Sequence, residues 1–306
     1  MRIVFMGTPD FAVPCLQRLY DLGNDVCAVF CQPDKPQGRK MILTAPPVKE
    51  KAQELGIPVY QPVTLKTDES FEVLKELAPE LIVVVAYGKI LPQRVLDLPQ
   101  FGCINIHASL LPVLRGAAPI QWAVINGLEK TGVTSMRMNA GLDTGDILLT
   151  SEVKIGENET SEELWNRLSL LAPDVLEKTL EELSAGSLNP VKQDDSESTY
   201  APLLSKEIST VDWNADCGTV HNKIRWLYSW PCAVTFINGR KIKLIKSIKH
   251  PGLGGQPGQV IDSDGRLIIA CKSGAVEILT LQAEGKKAMS ASDYLRGNPI
   301  EKNTII

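Results

Sequence analysis

The stretch LIVVVA, residues 81 to 86, indicates the fold class of this chain. It is a continuous apolar run of strand length, with no polar residue to mark a face exposed to solvent. Strands of this kind occur in parallel sheets that are covered by helices on both faces. The run therefore predicts a central, fully buried strand of an α/β domain.

The pattern extends to both sides of this strand. Predicted strands and helices follow in the order strand 2–6, helix 11–22, strand 26–31, helix 48–55, strand 81–86 and strand 103–107. Repeated units of this kind predict an α/β fold with a doubly wound, mostly parallel, Rossmann-like sheet, whose ligands bind beyond the carboxyl ends of the strands. The first turn reads GTPDF instead of G-x-G-x-x-G, which argues against a nicotinamide or flavin dinucleotide.

A long helix is predicted in the middle of the chain. It begins near Thr160, where Glu163 stands at capping-box spacing, and Pro173 is expected to bend it or to split it in two. The segment SLNPVKQDDSESTYAPLLS that follows, residues 187–205, is polar and aperiodic, as in a linker.

The last part of the chain reads as short strands punctuated by turns. Three dipeptides are strong hairpin signals, namely Asn238-Gly239, Asp264-Gly265 and Ser273-Gly274. They predict a small antiparallel β-barrel of the OB type. The expected organisation is an α/β domain over 1–188, a linker over 189–205 and an OB-like C-terminal domain over 206–306.

Length and composition limit the class of protein. The chain has 306 residues, of which 44% are hydrophobic and 22% are charged, which suffices for two globular domains with cores of their own. No apolar run approaches the roughly 20 residues of a bilayer-spanning helix and no signal-peptide pattern is present, so we expect a cytoplasmic protein without membrane contact. The seven cysteines include no C-x-x-C pair, so neither a disulfide framework nor a zinc site is expected.

The net charge of -4 conceals two parts of opposite sign. Through residue 204, 18 Lys and Arg stand against 27 Asp and Glu, a net charge of -9, whereas 14 against 9 from residue 205 onward give +5. A basic C-terminal part indicates a polyanionic partner, although a solvated surface produces the same excess.

The strand CINIH, residues 103–107, carries two polar side chains on one face. Alternate residues of a strand share a face, so Asn105 and His107 point the same way. An imidazole can take a proton from a nucleophile or return it to a leaving group, and a carboxamide N–H can hold negative charge on a carbonyl oxygen. The pair fits acyl transfer, although two such groups at a strand end can also merely satisfy each other.

A carboxylate that could orient this imidazole occurs in NAGLDTGDIL, residues 139–148. Asp143 stands between Gly141 and Gly145, which permit a tight turn and a close approach of the backbone to a ligand. A turn-forming Asp is the alternative explanation, and Asp146 competes for the same role.

Several long motifs resemble the folate-dependent formyltransferases. They are INIHASLLPVLRGAAPIQWAVINGLEKTGVT followed by GLDTGD, and also GTPDFAVP, QPDKPQGR, VVVAYGKILP, WPCA and LQAEGKKAMSASDY, so the resemblance runs from residue 1 to about 295. It implies transfer of a formyl group from the cosubstrate 10-formyltetrahydrofolate, without a metal, to methionine on the initiator methionyl-tRNA during translation initiation. It also implies that Asn105, His107 and Asp143 are catalytic. The segment SLLP, which is implied to line the tetrahydrofolate site, comprises Ser109, Leu110, Leu111 and Pro112.

The resemblance further implies contacts with tRNA, and we expect the protein to be a monomer. Arg39 and Lys40 match a loop that in this family reaches the acceptor end of the tRNA, although the chain reads GRKMIL where GRGKKL is expected. Lys241, Lys243 and Lys246, in GRKIKLIKSIKH, are expected to bind tRNA phosphates. Lysines that protect an edge strand would give the same pattern.

Two other functions stay open at this point. A formyltransferase for a small amine, such as a glycinamide ribonucleotide or an amino sugar, would share the Asn, His and Asp set and would turn over a free amine. A non-catalytic folate- or RNA-binding module would bind without formyl transfer.

Overall fold

A computed structural model of the chain describes residues 1–38, 41–228 and 231–306. It contains two compact units. The first unit comprises Met1–Pro119, Thr131–Val153 and Trp165–Pro202, and the second comprises Ile120–Lys130, Lys154–Leu164 and Leu203–Ile306. The domain boundaries given above stay a prediction.

Strands and helices alternate through the first two thirds of the chain. The strands there are β1 (Arg2–Gly7), β2 (Asp25–Phe30), β3 (Lys35–Gln37), β4 (Ile42–Thr44), β5 (Val59–Tyr60), β6 (Leu81–Val85), β7 (Cys103–His107), β8 (Arg115–Gly116), β9 (Lys130–Arg137), β10 (Ile147–Lys154) and β11 (Tyr200–Ala201). The helices are α1 (Val13–Asp21), α2 (Pro47–Glu54), α3 (Asp68–Leu77), α4 (Gln93–Leu96), α5 (Pro119–Ile125) and α6 (Ser161–Ala185).

Seven of these strands form one sheet, in the order β10-β9-β7-β6-β1-β2-β5. β1 pairs in parallel with β2 and β6, and β7 pairs in parallel with β6 and antiparallel with β9. The apolar run at 81–85 forms β6, all of whose residues are buried. The predicted mostly parallel, Rossmann-like sheet is therefore confirmed.

The core on one face of this sheet fixes the strands that carry the polar residues. Alternate residues of β1 and β6 belong to it, such as Met6 and Val84, and Leu74 of α3 packs against the same cluster. Complete burial of a side chain of this size stabilises the fold by about 1.5–3 kcal/mol. The carboxyl ends of β6 and β7 are thus held in fixed positions relative to each other.

Helix α6 begins as its sequence predicts and is not split at its internal proline. The backbone N–H of Thr160 donates to Glu163 Oε2 at 2.9 Å, and the N–H of Glu163 donates to Thr160 Oγ1 at 3.2 Å, which confirms the capping box. Pro173 was expected to bend the helix or to split it, and the second alternative is wrong, since α6 is continuous across this residue. Proline removes one backbone donor, and the burial of Ala172 and Leu176 on both sides holds the helix together.

The C-terminal part of the chain forms an antiparallel sheet. Its elements are α7 (Cys217–Trp226), β12 (Ala233–Ile237), β13 (Arg240–His250), β14 (Val260–Asp262), β15 (Leu267–Ala270), β16 (Ala275–Ala283), β17 (Met289–Ser290) and α8 (Ala291–Gly297). The strand order is β12-β13-β16-β15-β14, with β17 on β16. Each of the three predicted turns joins two antiparallel strands, and Asn238 and Gly239 have φ values of 50° and 72°, as a tight hairpin requires.

This sheet is curled into a half-barrel, which confirms the predicted barrel-like architecture of the C-terminal part. Register shifts in β13, between Leu244 and Ser247, add to the curl. Within the described residues, the structure contains no helix long and apolar enough to span a bilayer.

Candidate active site

Strand β7 places Asn105 and His107 at the carboxyl end of the first sheet. Asn105 lies beside Val84 of β6, and His107 lies opposite Thr134 of β9. Their exposed fractions are 9% and 5%. Polar side chains at the end of a strand are usually exposed to water. Here two of them are buried side by side, where little water reaches them.

Asp143 reaches the same place from the loop between β9 and β10. Its Oδ2 lies 3.8 Å from Nδ1 of His107, and its Oδ1 accepts from Nδ2 of Asn105 at 3.4 Å. The structure thus brings together the three side chains that the sequence singled out. Asp146, the competing residue, instead uses its backbone carbonyl to accept from the N–H of Arg137 at 2.9 Å.

The carboxylate of Asp143 is held on a second side by backbone. The N–H of Gly116 donates to Oδ2 at 2.9 Å. The residue itself has a φ of 52°, a left-handed conformation that Asp adopts more readily than most side chains. The turn therefore directs this carboxylate at the imidazole. Asp143 is thus both a turn residue and the carboxylate next to His107.

A backbone carbonyl determines which nitrogen of the neutral His107 ring carries the hydrogen. Nε2 of His107 lies 3.0 Å from the carbonyl oxygen of Leu114. A carbonyl oxygen can only accept, so Nε2 carries the hydrogen and Nδ1 has the lone pair in the neutral ring. Nδ1 is consequently the atom that can take up a proton, and it does so next to the Asp143 carboxylate.

The contact between Asn105 and Asp143 is long for an N–H···O bond. The Asn105 carboxamide can therefore give up this contact for a shorter hydrogen bond to a negatively charged oxygen of a substrate. The site therefore offers one hydrogen-bond donor, one proton acceptor and one carboxylate within a few ångströms, which suits attack of a nucleophile on a carbonyl carbon.

The segment SLLP follows β7 directly. Ser109 is 1% exposed, and its hydroxyl donates to the carbonyl oxygen of Val113 at 2.6 Å, inside the loop. Leu110 and Pro112 are half-buried, whereas Leu111 is buried. The hydroxyl of Ser109 thus shapes the loop, and the two half-buried side chains are the ones that can line a ligand site.

Thr134 supports this loop, and the sequence analysis missed it. Its hydroxyl donates to the carbonyl oxygen of Ser109 at 2.6 Å and accepts from the N–H of Leu111 at 3.2 Å. In the sequence, Thr134 is one polar residue of a strand, with nothing to show that β9 pairs with β7. A prediction of that pairing would have pointed to it, because Thr134 stands opposite His107.

Arg39 and Lys40, predicted to contact tRNA, lie outside the described residues. The strands β3 and β4 on both sides of them pair antiparallel. Just before β3, the Asp34 carboxylate accepts from Nζ of Lys49 and from the amide of Gln61, each at 2.8 Å. The hydrogen bond from Lys49, followed by that from Gln61, holds the pKa of Asp34 below its usual value, so the base of this hairpin is tied by a charged contact.

The predicted lysines of the C-terminal part fall into two environments. Lys241 borders two grooves of about 700 and 370 Å³, and Lys243 borders the smaller one. Phe236, which is 54% exposed, lines both grooves. Nζ of Lys246 instead lies 3.4 Å from Oε1 of Glu163 and 5.8 Å from the centre of the Tyr228 ring. The structure therefore places Lys241 and Lys243 together and gives Lys246 an acidic neighbour.

No cluster of metal-ligating side chains occurs among residues 1–38, 41–228 and 231–306. The seven cysteines are free, and all but Cys27 are buried. Burial raises the pKa of the Cys31 thiol to about 11, which keeps it protonated and unreactive at neutral pH.

Comparisons with known proteins identify the family of this chain. Residues 1–180 match the family model described as formyl transferase, and residues 203–299 match the one described as formyl transferase, C-terminal domain. The chain therefore belongs to the formyl transferase family.

Relatives over the full length narrow the group. The chain is 48% identical over 309 residues to a methionyl-tRNA formyltransferase of Caldanaerobacter subterraneus subsp. tengcongensis, with 100% of both chains covered. It is 47% identical over 306 residues to a methionyl-tRNA formyltransferase of Geobacter sulfurreducens, with 99% of this chain and 96% of the relative covered. Within the family, the chain therefore groups with the methionyl-tRNA formyltransferases.

A solved structure shows the same fold at low identity. It is the N-formyltransferase from Helicobacter canadensis in complex with folinic acid and dTDP-3-aminofucose, with a TM-score of 0.69, 19% identity, and coverage of 90% of this chain and 97% of that chain. The alternative of a formyltransferase for an amino sugar is therefore matched at the level of the fold alone.

Proposed function

We propose that this protein transfers the formyl group of 10-formyltetrahydrofolate to the α-amino group of methionine on initiator methionyl-tRNA. The observation that carries the proposal is the convergence of Asn105, His107 and Asp143 at the carboxyl end of β7. Two full-length relatives at 47–48% identity carry the name methionyl-tRNA formyltransferase, which supports the substrate. The folinic acid in the Helicobacter canadensis structure supports a folate as the formyl donor.

In this reaction, the methionine nitrogen attacks the formyl carbon. A new C–N bond forms, and the carbonyl oxygen becomes an oxyanion. Nδ2 of Asn105 donates to that oxygen in place of its long contact to Asp143. Loss of one such donor in other acyl-transfer sites reduces turnover by about 100-fold to 1,000-fold.

His107 moves the proton between the two nitrogens. Nδ1 takes a proton from the attacking ammonium-like nitrogen and returns it to the folate nitrogen as the C–N bond to the folate breaks. Nε2 keeps its hydrogen bond to the carbonyl of Leu114 throughout, so the ring stays oriented. The amine is itself the nucleophile, so this scheme requires neither a metal nor a side-chain nucleophile.

Asp143 stabilises the imidazolium that forms between these two steps. Its Oδ2 lies 3.8 Å from Nδ1 before protonation, and both side chains are largely shielded from solvent, with side-chain exposures of 14% and 6%. A carboxylate at this distance attracts the positive charge that the ring carries transiently during the reaction. Its role is therefore electrostatic and orienting.

The segment Ser109 to Pro112 would line the folate site next to this trio. It leaves β7 at His107, and Leu110 and Pro112 are half-buried and able to contact a flat heterocycle. Ser109 would act by shaping the loop through its bond to Val113.

The tRNA would contact the C-terminal part and the segment of sequence that contains Arg39 and Lys40. Lys241 and Lys243 adjoin the exposed Phe236, a combination that suits phosphates next to an unstacked base. Lys246 would contribute less, because Glu163 partly neutralises it.

The decisive test supplies three acceptors to the purified protein with labelled 10-formyltetrahydrofolate. These are methionine-charged initiator tRNA, free methionine and a dTDP-linked amino sugar. Formylation of the charged tRNA alone supports the proposal. Transfer to the amino sugar, or folate binding without transfer to any acceptor, would reject it.

A further inference from the structure

The segment predicted as a linker is attached to the first unit over much of its length. Val191 and Ile147 exchange two backbone hydrogen bonds of 2.8 Å. Further along, Tyr200–Ala201 forms β11, which pairs in parallel with β8. Residues 191–201, here called the strap, therefore lie along the two loops that hold the candidate site.

One strap residue contacts the catalytic loop directly. Nε2 of Gln193 donates to the carbonyl oxygens of Asp143 and Gly145, at 2.9 and 2.7 Å. An amide nitrogen carries two hydrogens, so both bonds are made at once. The turn that aims the Asp143 carboxylate is thus fastened at two points to a side chain from a distant part of the chain.

The other end of the same amide contacts the second loop. Oε1 of Gln193 accepts from Nε of Arg115 at 3.0 Å, and Nη2 of Arg115 donates to Oδ1 of Asp195 at 2.7 Å. The orientation of the amide is therefore determined, since a reversed Gln193 would set its oxygen against two carbonyl oxygens and its nitrogen against a guanidinium.

Arg115 lies between two residues whose backbone contacts the candidate site. It lies between Leu114, whose carbonyl accepts from Nε2 of His107, and Gly116, whose N–H donates to Oδ2 of Asp143. Gln193 consequently links the loop that orients the imidazole to the loop that carries the carboxylate.

We infer that Gln193 is a positioning residue, which sets the distance between Asp143 and His107 by tying their two supporting loops together. The inference rests on the proposed function, because its effect is read in formyl transfer. Misplacement of a catalytic group by about 1 Å can cost about 100-fold in rate. Gln193 touches no reacting atom and acts only through the distance between Asp143 and His107.

Two substitutions separate positioning from simple attachment of the strap. Gln193→Ala removes all three bonds. Gln193→Glu keeps a partner for Arg115 but places an oxygen that cannot donate against the carbonyls of Asp143 and Gly145. We expect both variants of the full chain to lose about 10-fold to 100-fold in kcat, with little change in KM for 10-formyltetrahydrofolate. A Gln193→Glu enzyme with wild-type kcat would overturn the inference, because attachment through Arg115 would then suffice.

A matched control and a double-mutant cycle complete the experiment. Gln93→Ala removes another glutamine amide, one that donates to Asp97 on an exposed surface, and is expected to keep wild-type kcat. In an Asp143→Asn background, Gln193→Ala should lower kcat much less than it does alone, because the two changes act on one group. Equal losses in both backgrounds would mean that Gln193 acts elsewhere, and would overturn the inference.

The outcomes also distinguish this inference from the proposed function. Wild-type kcat in Asp143→Asn would remove the proposed site and the positioning role with it. A large loss in Asp143→Asn together with normal kcat in Gln193→Ala would reject the positioning role and leave the proposed site standing. Thermal unfolding of each variant, followed by circular dichroism, reports whether a loss of rate comes from unfolding.

Discussion

Gly145 offers a sharp test of the geometry around Asp143, because a single methyl group cannot be accommodated there. A Cβ added at Gly145 would lie 1.6 Å from the carbonyl oxygen of Arg137, whereas real Cβ contacts essentially never fall below 3.0 Å. The loop must therefore move by about 1.4 Å, since the obstacle is backbone of β9 and no rotamer can relieve it.

A displacement of this size would separate the groups that the candidate site needs together. Gly145 is two residues from Asp143, whose Oδ2 lies 2.9 Å from the Gly116 nitrogen and 3.8 Å from Nδ1 of His107. An error of about 1 Å in a catalytic group costs about 100-fold in rate. We therefore expect Gly145→Ala to lower kcat by about 100-fold and to destabilise the fold by about 1–3 kcal/mol.

The assay is the initial rate of formylation of methionine-charged initiator tRNA over a range of 10-formyltetrahydrofolate concentrations. The KM for the folate should change little, since SLLP lies on a different loop. Gly252→Ala is the matched control, because its added Cβ would meet no atom within 4 Å. A Gly145→Ala enzyme with the kcat and the stability of Gly252→Ala would refute the described geometry.

Three further predictions concern other parts of the protein. Asp143→Asn should lower kcat by about 100-fold or more without weakening folate binding, whereas Asp146→Asn should not; equal rates for the two would exclude Asp143 as the catalytic carboxylate. Lys241→Ala and Lys243→Ala should each reduce the salt slope of tRNA affinity by about 1, and Lys246→Ala by less, in filter-binding titrations; a salt-insensitive affinity would contradict the phosphate contacts. Burial, aided by the charges of Arg225 and Lys249 and opposed by the carbonyl and charge of Glu157, lowers the pKa of His221 from 6.5, so its neutral form is favoured in the fold. The contribution of His221 to the stability of the fold is then present above pH 6.5 and is lost as the pH falls through the lowered pKa. Urea unfolding should show this loss in the wild type and less of it in His221→Gln. An identical pH dependence of the unfolding free energy in the two proteins would contradict the prediction.

The parts of the fold that the sequence predicts well are those governed by local patterns. Strand β7 begins and ends where the apolar alternation placed it, and its period of two put Asn105 and His107 on one face. The capping box at Thr160 and the turn at Asn238 are likewise set by neighbouring residues.

The parts that the sequence predicts poorly depend on contacts between distant segments. Asp143 meets His107 because β9 pairs antiparallel with β7, and no local pattern specifies that pairing. Gln193 lies in an aperiodic polar segment whose only strand, β11, has two residues. On local grounds Pro173 was expected to bend α6 or to split it, and the helix is not split because its neighbours are buried in the fold.

Lys246 illustrates the same limit for charge patterns. In the sequence it follows Lys241 and Lys243 as the third lysine of one strand. Its pairing with Glu163, a residue 83 positions away, gives it a different environment. Charge on a strand can thus be counted from the sequence, whereas its availability to a partner requires the fold.

The central claim is that the His107 imidazole moves the proton in formyl transfer, and the most direct measurement is the turnover of His107→Ala. With saturating 10-formyltetrahydrofolate and methionine-charged initiator tRNA, and with folate binding verified separately, we expect kcat to fall by about 100-fold to 10,000-fold. A folded His107→Ala enzyme that formylates the charged tRNA at close to the wild-type rate would contradict the account.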